Sequence, residues 1–192
     1  MNSGNIKIFD TTLRDGQQCP GAGMSFAQNL QYAKLATKLG VDVLEAGFPS
    51  ASKIDFEIVQ AIAKEISSIP NAPVIAGLCQ MREEQVEITI RSLEQAVPHK
   101  KARMHIYLPV DPELIVASLG GAKAERKEVL IENLGNYIAM AVRAGLEVEF
   151  SPAGYSRMRE NFDFVTDLIR SAVWAGAAVI YFPKTNCRAC FF

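Results

Sequence analysis

Residues Ile8 to Gly21 read IFDTTLRDGQQCPG. An apolar run containing Ile6, Ile8 and Phe9 feeds directly into Asp10, Thr11, Thr12, Arg14, Asp15 and Gly16. An apolar strand that ends in an acid, an arginine and a glycine is how parallel α/β proteins set charge at the mouth of a pocket. Asp15 is suited to hold a divalent cation, and Arg14 to hold negative charge on a substrate oxygen. Gly16 lets the chain turn between them. A surface turn closed by an Arg–Asp ion pair is the competing reading of these residues in isolation.

Working outward, short β-branched runs alternate with longer helical patterns. Strands are expected at Lys7–Leu13, Val41–Ala46, Val74–Leu78, Ala102–Leu108, Leu146–Phe150 and Ala178–Phe182. Helices are expected at Ser25–Leu39, Lys53–Ser67, Arg82–Ala96, Glu125–Ala144 and Glu160–Ala175. Ser25 reads as an N-cap and Gly40 as a helix stop. Leu30, Ala33, Leu35 and Leu39 read as the apolar positions of the first helix. LGVDVLEAGF, RAGLEVEFSP and WAGAAVIYFP repeat one theme, a helix end, a glycine and a strand. These near-continuous apolar strands are those of a parallel sheet covered on both faces. Two architectures fit, an open doubly wound sheet or an incomplete (β/α)8 barrel of about five βα units plus a sixth strand. No GxGxxG follows the first strand and no GxxxxGK[ST] occurs, which counts against a nucleotide fold. Polar residues expected just past the C-terminal ends of several strands (Arg14, Asp15, Glu45, His105, Ser151) suit a barrel mouth.

The 192 residues are enough for one well-buried domain, and no second domain is expected. With 49% hydrophobic and 21% charged residues the chain is globular, and a net charge of −1 gives no electrostatic case for nucleic acid or an anionic membrane. No apolar run approaches the roughly 20 residues of a membrane span. The start MNSGNIKIFD lacks the features of a secretion signal, which points to a cytoplasmic chain with free thiols.

Glu45 interrupts the apolar strand VDVLEAGFP. A solvated rim acid is one reading. The other is a buried carboxylate paired with Arg14 from the neighbouring strand, which would fix the guanidinium in one orientation as an oxyanion site needs. DTTLRDGQQCPG, then LEAGFP, then a strand beginning MHIY together resemble the DRE-TIM metallolyase family, from about Ile6 to about Phe182. Within it the chain looks most like the 2-isopropylmalate, homocitrate and citramalate synthases.

The resemblance implies a TIM barrel that carries a Claisen condensation of acetyl-CoA with an α-keto acid, in leucine biosynthesis for the 2-isopropylmalate type. It implies a divalent metal (Zn, Mn or Mg) that polarises the keto acid, with Asp15 as a metal ligand. Arg14 and Glu45 become the catalytic pair, Arg14 facing the nascent alkoxide and Glu45 behind it. His105, Thr185 and Gln18 become substrate-binding residues. His105 read without the family is equally a satisfied core histidine. A lyase acting on 3-hydroxy-3-methylglutaryl-CoA uses the same acid, arginine and glutamate, and a non-catalytic fragment is the reading from outside enzymology.

Three features depart from the family pattern. Phe150-Ser151-Pro152-Ala153-Gly154 stands where relatives carry an acidic pair, and Pro183-Lys184-Thr185-Asn186 where a Pro-Asp-Thr turn is usual. The only histidines are His99 and His105, so the family's His-x-His is missing and the metal's first shell is expected to be incomplete. The expected object is therefore the N-terminal part of a barrel, with open edges on strands 1 and 6 and a tendency to homo-oligomerise.

Smaller signals read blandly. Cys187-x-x-Cys190 lacks the context of a zinc or redox site. Cys19 and Cys79 read as small buried or semi-buried residues. His99-Lys100-Lys101-Arg103 reads as a solvated basic face, and Gly120-Gly121 with Lys123–Lys127 as a flexible loop opening the next helix, favoured over a loop that touches a coenzyme A phosphate.

Overall fold

The computed structural model of the chain describes residues 6–120, 126–157 and 162–183. Six parallel strands form one sheet in the order β1 to β6: Phe9–Asp10, Val43–Gly47, Val74–Gln80, Ala102–Pro109, Glu147–Ala153 and Val179–Ile180. Each strand pairs with the next in sequence. The helices that return the chain are α1 (Phe26–Leu39), α2 (Lys53–Ile66), α3 (Glu83–Leu93), α4 (Pro112–Leu119), α5 (Lys127–Arg143) and α6 (Phe162–Trp174). Strand order equal to sequence order is the barrel pattern, not the doubly wound one, whose order reverses at a switch point.

The sheet curls. The ring of Phe9 in β1 lies 6.2 Å from the His105 ring in β4, and Tyr181, just past β6, lies 5.9 Å from the same ring and 6.3 Å from Phe9. Side chains of the first and last strands meet over the fourth only if the strands wrap around a common axis. The architecture is an α/β half-barrel, an incomplete TIM barrel.

The two faces of the sheet differ because strand side chains alternate. Leu44, Ile75, Met104, Ile106, Val148 and Phe150 point outward and are buried with the inner faces of the helices in one hydrophobic core. The concave face carries Glu45, Arg103, His105, Glu149 and Ser151, all buried. Local signals fix the helices. Ser25 Oγ accepts from Gln28 N and Gln28 Oε1 accepts from Ser25 N, a complete capping box, and Gly40 closes α1 at φ 84°.

Several expectations are corrected. The first strand is Phe9–Asp10 where Lys7–Leu13 was expected, because Arg14, Asp15 and Gly16 all donate backbone N–H groups to Thr11 O and form a turn. Of the apolar positions expected in α1, Ala33 is buried but Leu35 and Leu39 are exposed, and the helix buries Asn29 and Ala36 instead. Helix α3 stops at Leu93, and Glu94–His99 continues as a tighter 3-10 turn around Pro98. Helix α4 was not expected at all. Arg103 is buried, unlike exposed His99 and Lys100, because it faces two glutamates of β5. Cys79 is buried, but Cys19 is exposed. Residues 121–125, Lys184, Thr185, Cys187 and Cys190 lie outside the described residues.

Candidate active site

The turn after β1 is held from several sides. Asp10 Oδ1 accepts from Thr12 N at 2.8 Å, and Asp10 Oδ2 accepts from the Tyr32 hydroxyl at 2.8 Å. Gln17 Nε2 donates to Leu13 O (2.7 Å) and Asn29 Oδ1 (2.8 Å), while its Oε1 accepts from Met24 N (2.8 Å). Asn29 is almost wholly buried, so this network ties the turn to the first turn of α1.

From that turn Arg14 reaches across to β2. Its Nε donates to Glu45 Oε2 at 2.8 Å and its Nη1 to Asp15 Oδ1 at 2.9 Å. Nη2 makes no hydrogen bond among the described residues. Glu45 has 0% relative exposure, and its other oxygen, Oε1, lies 2.6 Å from His105 Nδ1. The second ring nitrogen, Nε2, lies 2.8 Å from Ser151 Oγ in β5. One chain of hydrogen bonds thus runs from the β1 turn through β2 and β4 to β5.

Burial alone would raise the pKa of Glu45, but the hydrogen bond from His105, and then the charge and hydrogen bond of Arg14, outweigh it and hold the carboxyl below its usual range. Glu45 is an anion whose two oxygens are both engaged. Two phenols share this face. Burial, then the carboxylates of Glu149 and Glu45, push Tyr181 up; burial, partly offset by Arg14, does the same for Tyr107. A second cluster lies one layer below: buried Arg103 donates to half-buried Glu147 (Nε 3.1 Å, Nη2 2.9 Å) and to buried Glu149 (Nη1 2.8 Å).

Arg14, Asp15, Glu45 and His105 are therefore joined by hydrogen bonds, Arg14 and exposed Asp15 from the turn after β1, and Glu45 and His105 from the concave face, where they and Ser151 lie inside their strands, not past the ends. Gln18 is exposed and lines, with Arg14, Ser25, Phe48 and Asp55, a cleft of about 350 Å³ at the rim. Thr185 lies outside the described residues. A larger cavity of about 490 Å³ lies by the start of α3 and α5, lined by Met81, Arg82, Arg126, Leu130 and Tyr137, and contains none of these groups. Gln17 is the participant that residue types alone did not single out, and Ser151, read only as one of the polar strand-end residues, was given no role. Gln17 sits inside the DGQQ stretch, and Ser151 is the polar residue that breaks the apolar strand VEFSP.

A metal needs about three protein donors. Asp15 offers one exposed carboxylate, already paired with Arg14, and among the described residues no group of three His, Cys, Asp or Glu converges. These residues do not by themselves fit a divalent metal. No described helix is long and apolar enough to cross a membrane.

The chain matches the HMGL-like family over residues 5–187. It is 36% identical to a 2-isopropylmalate synthase of Synechocystis sp. over 187 residues, covering 96% of this chain and 33% of that protein. It is 38% identical to one from Microcystis aeruginosa over 180 residues, covering 94% and 32%. It is 35% identical to the chloroplastic 2-isopropylmalate synthase 2 of Arabidopsis thaliana over 185 residues, covering 94% and 28%. The chain spans about a third of the length of these relatives. A match over nearly all of its residues, joined to a parallel half-barrel in which an arginine of the β1 turn pairs with a neighbouring acid and a buried glutamate of β2, places this chain in the HMGL-like family.

Proposed function

We propose that this chain carries part of the active site of an acyltransferase of the 2-isopropylmalate synthase type, the N-terminal portion of its catalytic barrel. In that reaction the methyl carbon of acetyl-CoA adds to the ketone of an α-keto acid, and water then releases the coenzyme A thiol. Dissecting 2-isopropylmalate at the new bond leaves 3-methyl-2-oxobutanoate as the keto partner. The observation that carries the reading is the Arg14–Glu45 pair. Glu45 takes the Nε hydrogen of the guanidinium and Asp15 one Nη1 hydrogen, so both Nη2 hydrogens and the second Nη1 hydrogen are left for a ligand oxygen. A fixed donor aimed at an oxygen that gains charge lowers the barrier most. Arg14 is the catalytic residue of this reading, and Glu45 acts through it.

The site readings for Gln18 and Thr185 rest on the family resemblance, with the rim cleft supporting Gln18. For His105, both ring nitrogens are within hydrogen-bond distance of protein groups, which favours a supporting role beside Glu45 over direct contact with substrate. Asp15 remains the proposed metal donor, and no step is assigned to the metal. Exposed Ile6 and Trp174 are the apolar surface that supports self-association.

The lyase alternative is not favoured, since the named relatives are synthases. The test is a thiol-release assay of the full chain with acetyl-CoA, a panel of α-keto acids including 3-methyl-2-oxobutanoate, and added Zn²⁺, Mn²⁺ or Mg²⁺. Keto-acid-dependent release that disappears in Arg14→Met is expected. Cleavage of 3-hydroxy-3-methylglutaryl-CoA without keto-acid-dependent release would overturn the reading.

A further inference from the structure

His105 sits between a group that only accepts hydrogen bonds and one that does either. Glu45 is a carboxylate with one oxygen on Arg14 Nε, so the short 2.6 Å contact of its other oxygen requires a proton on His105 Nδ1. In the neutral ring Nε2 is then a lone pair, and the hydroxyl 2.8 Å away must donate to it. We propose that Ser151 is a positioning residue whose hydroxyl donates to His105 Nε2 and, with Glu45 accepting at Nδ1, holds neutral His105 as the Nδ1–H tautomer.

The surroundings support a single arrangement. Glu45, His105 and Ser151 are each at most 3% exposed, so water does not compete for these bonds. Phe9 and Tyr181 meet the imidazole edge-on at 6.2 and 5.9 Å and limit its rotation. A free neutral imidazole prefers its proton on Nε2, so the site selects the less common form. The ring plane in turn sets the carboxylate plane, and the carboxylate sets the Arg14 guanidinium. Orientation is passed from β5 to the β1 rim. The tautomer stands independently of the proposed function, whereas its effect on keto-acid chemistry rests on that reading.

The amide analogue sharpens the argument. In Glu45→Gln the side-chain oxygen must face Arg14, because a guanidinium cannot accept a hydrogen bond. The amide NH₂ then faces His105 Nδ1 and requires the Nε2–H tautomer, with Ser151 turned to accept.

The experiment is nitrogen NMR of the full chain labelled with ¹⁵N-histidine at mildly alkaline pH. Only His99 and His105 report, and exposed His99 serves as the internal reference. The wild-type chain needs no variant to test the assignment: Nδ1 of His105 is expected to resonate as a protonated nitrogen and Nε2 as an unprotonated one. Ser151→Ala is expected to keep Nδ1 protonated but to shift the Nε2 resonance downfield as its hydrogen bond is lost, Ser151→Thr to keep the wild-type pattern, and Glu45→Gln to invert it, with His99 unchanged throughout. A wild-type Nε2–H pattern, or Ser151→Ala indistinguishable from wild type, would overturn the proposal. The fixed pattern together with no thiol release would uphold the tautomer and count against the functional reading alone.

Discussion

Arg14 and His105 are joined through the two oxygens of one buried carboxylate: Arg14 Nε on Glu45 Oε2 at 2.8 Å and His105 Nδ1 on Glu45 Oε1 at 2.6 Å. A turn after the first strand and the middle of the fourth strand are thereby made to depend on a single side chain of the second.

Removing that side chain should be costly. Glu45→Ala strips a wholly buried site of its acceptor and leaves a guanidinium and an imidazole facing a void. Breaking a buried pair by deleting one partner costs about 3–5 kcal/mol. Urea denaturation is expected to give a loss in that range. Glu45→Gln, which keeps the volume and one acceptor, should lose clearly less.

The shared carboxylate also couples its two partners. Arg14→Met and His105→Gln, made singly and together, are expected to show a non-additive stability change of about 0.5–3 kcal/mol. In a Glu45→Gln background that coupling should shrink. Additivity within error in the wild-type background would mean that the two groups act independently.

Acid should weaken the fold through two carboxylates. Glu45 is held below its usual pKa by His105 and Arg14 against the upward push of burial, and Asp111 likewise by Arg157 and the N–H groups of Glu113 and Leu114. A carboxyl whose folded pKa lies below its unfolded value stabilises the fold fully above the unfolded value, near pH 4. That contribution is lost as pH falls through the folded value. Denaturation midpoints measured from pH 7 downward are expected to hold until the ordinary carboxylate range and then drop. Asp111→Asn should flatten part of the drop.

Arg103 is a structural cation of the concave face. Arg103→Met leaves Glu149, almost fully buried, without its partner at 2.8 Å. A loss of about 3 kcal/mol is expected by urea denaturation. Restoring part of it with Glu149→Leu in the same chain would identify the unpaired carboxylate as the cause.

The alternation of strands and helices was legible because most strands are apolar runs bounded by glycine or proline and most helices carry a period near 3.6, while the choice of a barrel over a doubly wound sheet came from the polar strand ends and the family resemblance. The rim arginine and acid were legible because charged residues follow an apolar strand without a linker. What was not legible follows from pairing across long sequence distances. Arg103 looked solvated beside Lys100 and Lys101, and only the register of β4 with β5 brings it against Glu147 and Glu149. Ser151 gained meaning only once His105 lay 2.8 Å away. Helix α4 is a different case. Asp111 followed by Pro112 is a local N-cap and first-position signal, and Asp111 Oδ1 does accept from Glu113 and Leu114 N, so that element could have been read.

Calorimetric titration of 3-methyl-2-oxobutanoate into the full chain, beside Arg14→Met and Glu45→Gln, asks whether the anchored guanidinium receives a keto-acid oxygen. Losing a charge-assisted hydrogen bond of about 1.5–3 kcal/mol corresponds to a roughly 10- to 150-fold weaker Kd. Saturable binding weakened to that extent in Arg14→Met, and less in Glu45→Gln, is the expected result. Binding of equal strength in all three chains would show that Arg14 does not hold the ligand.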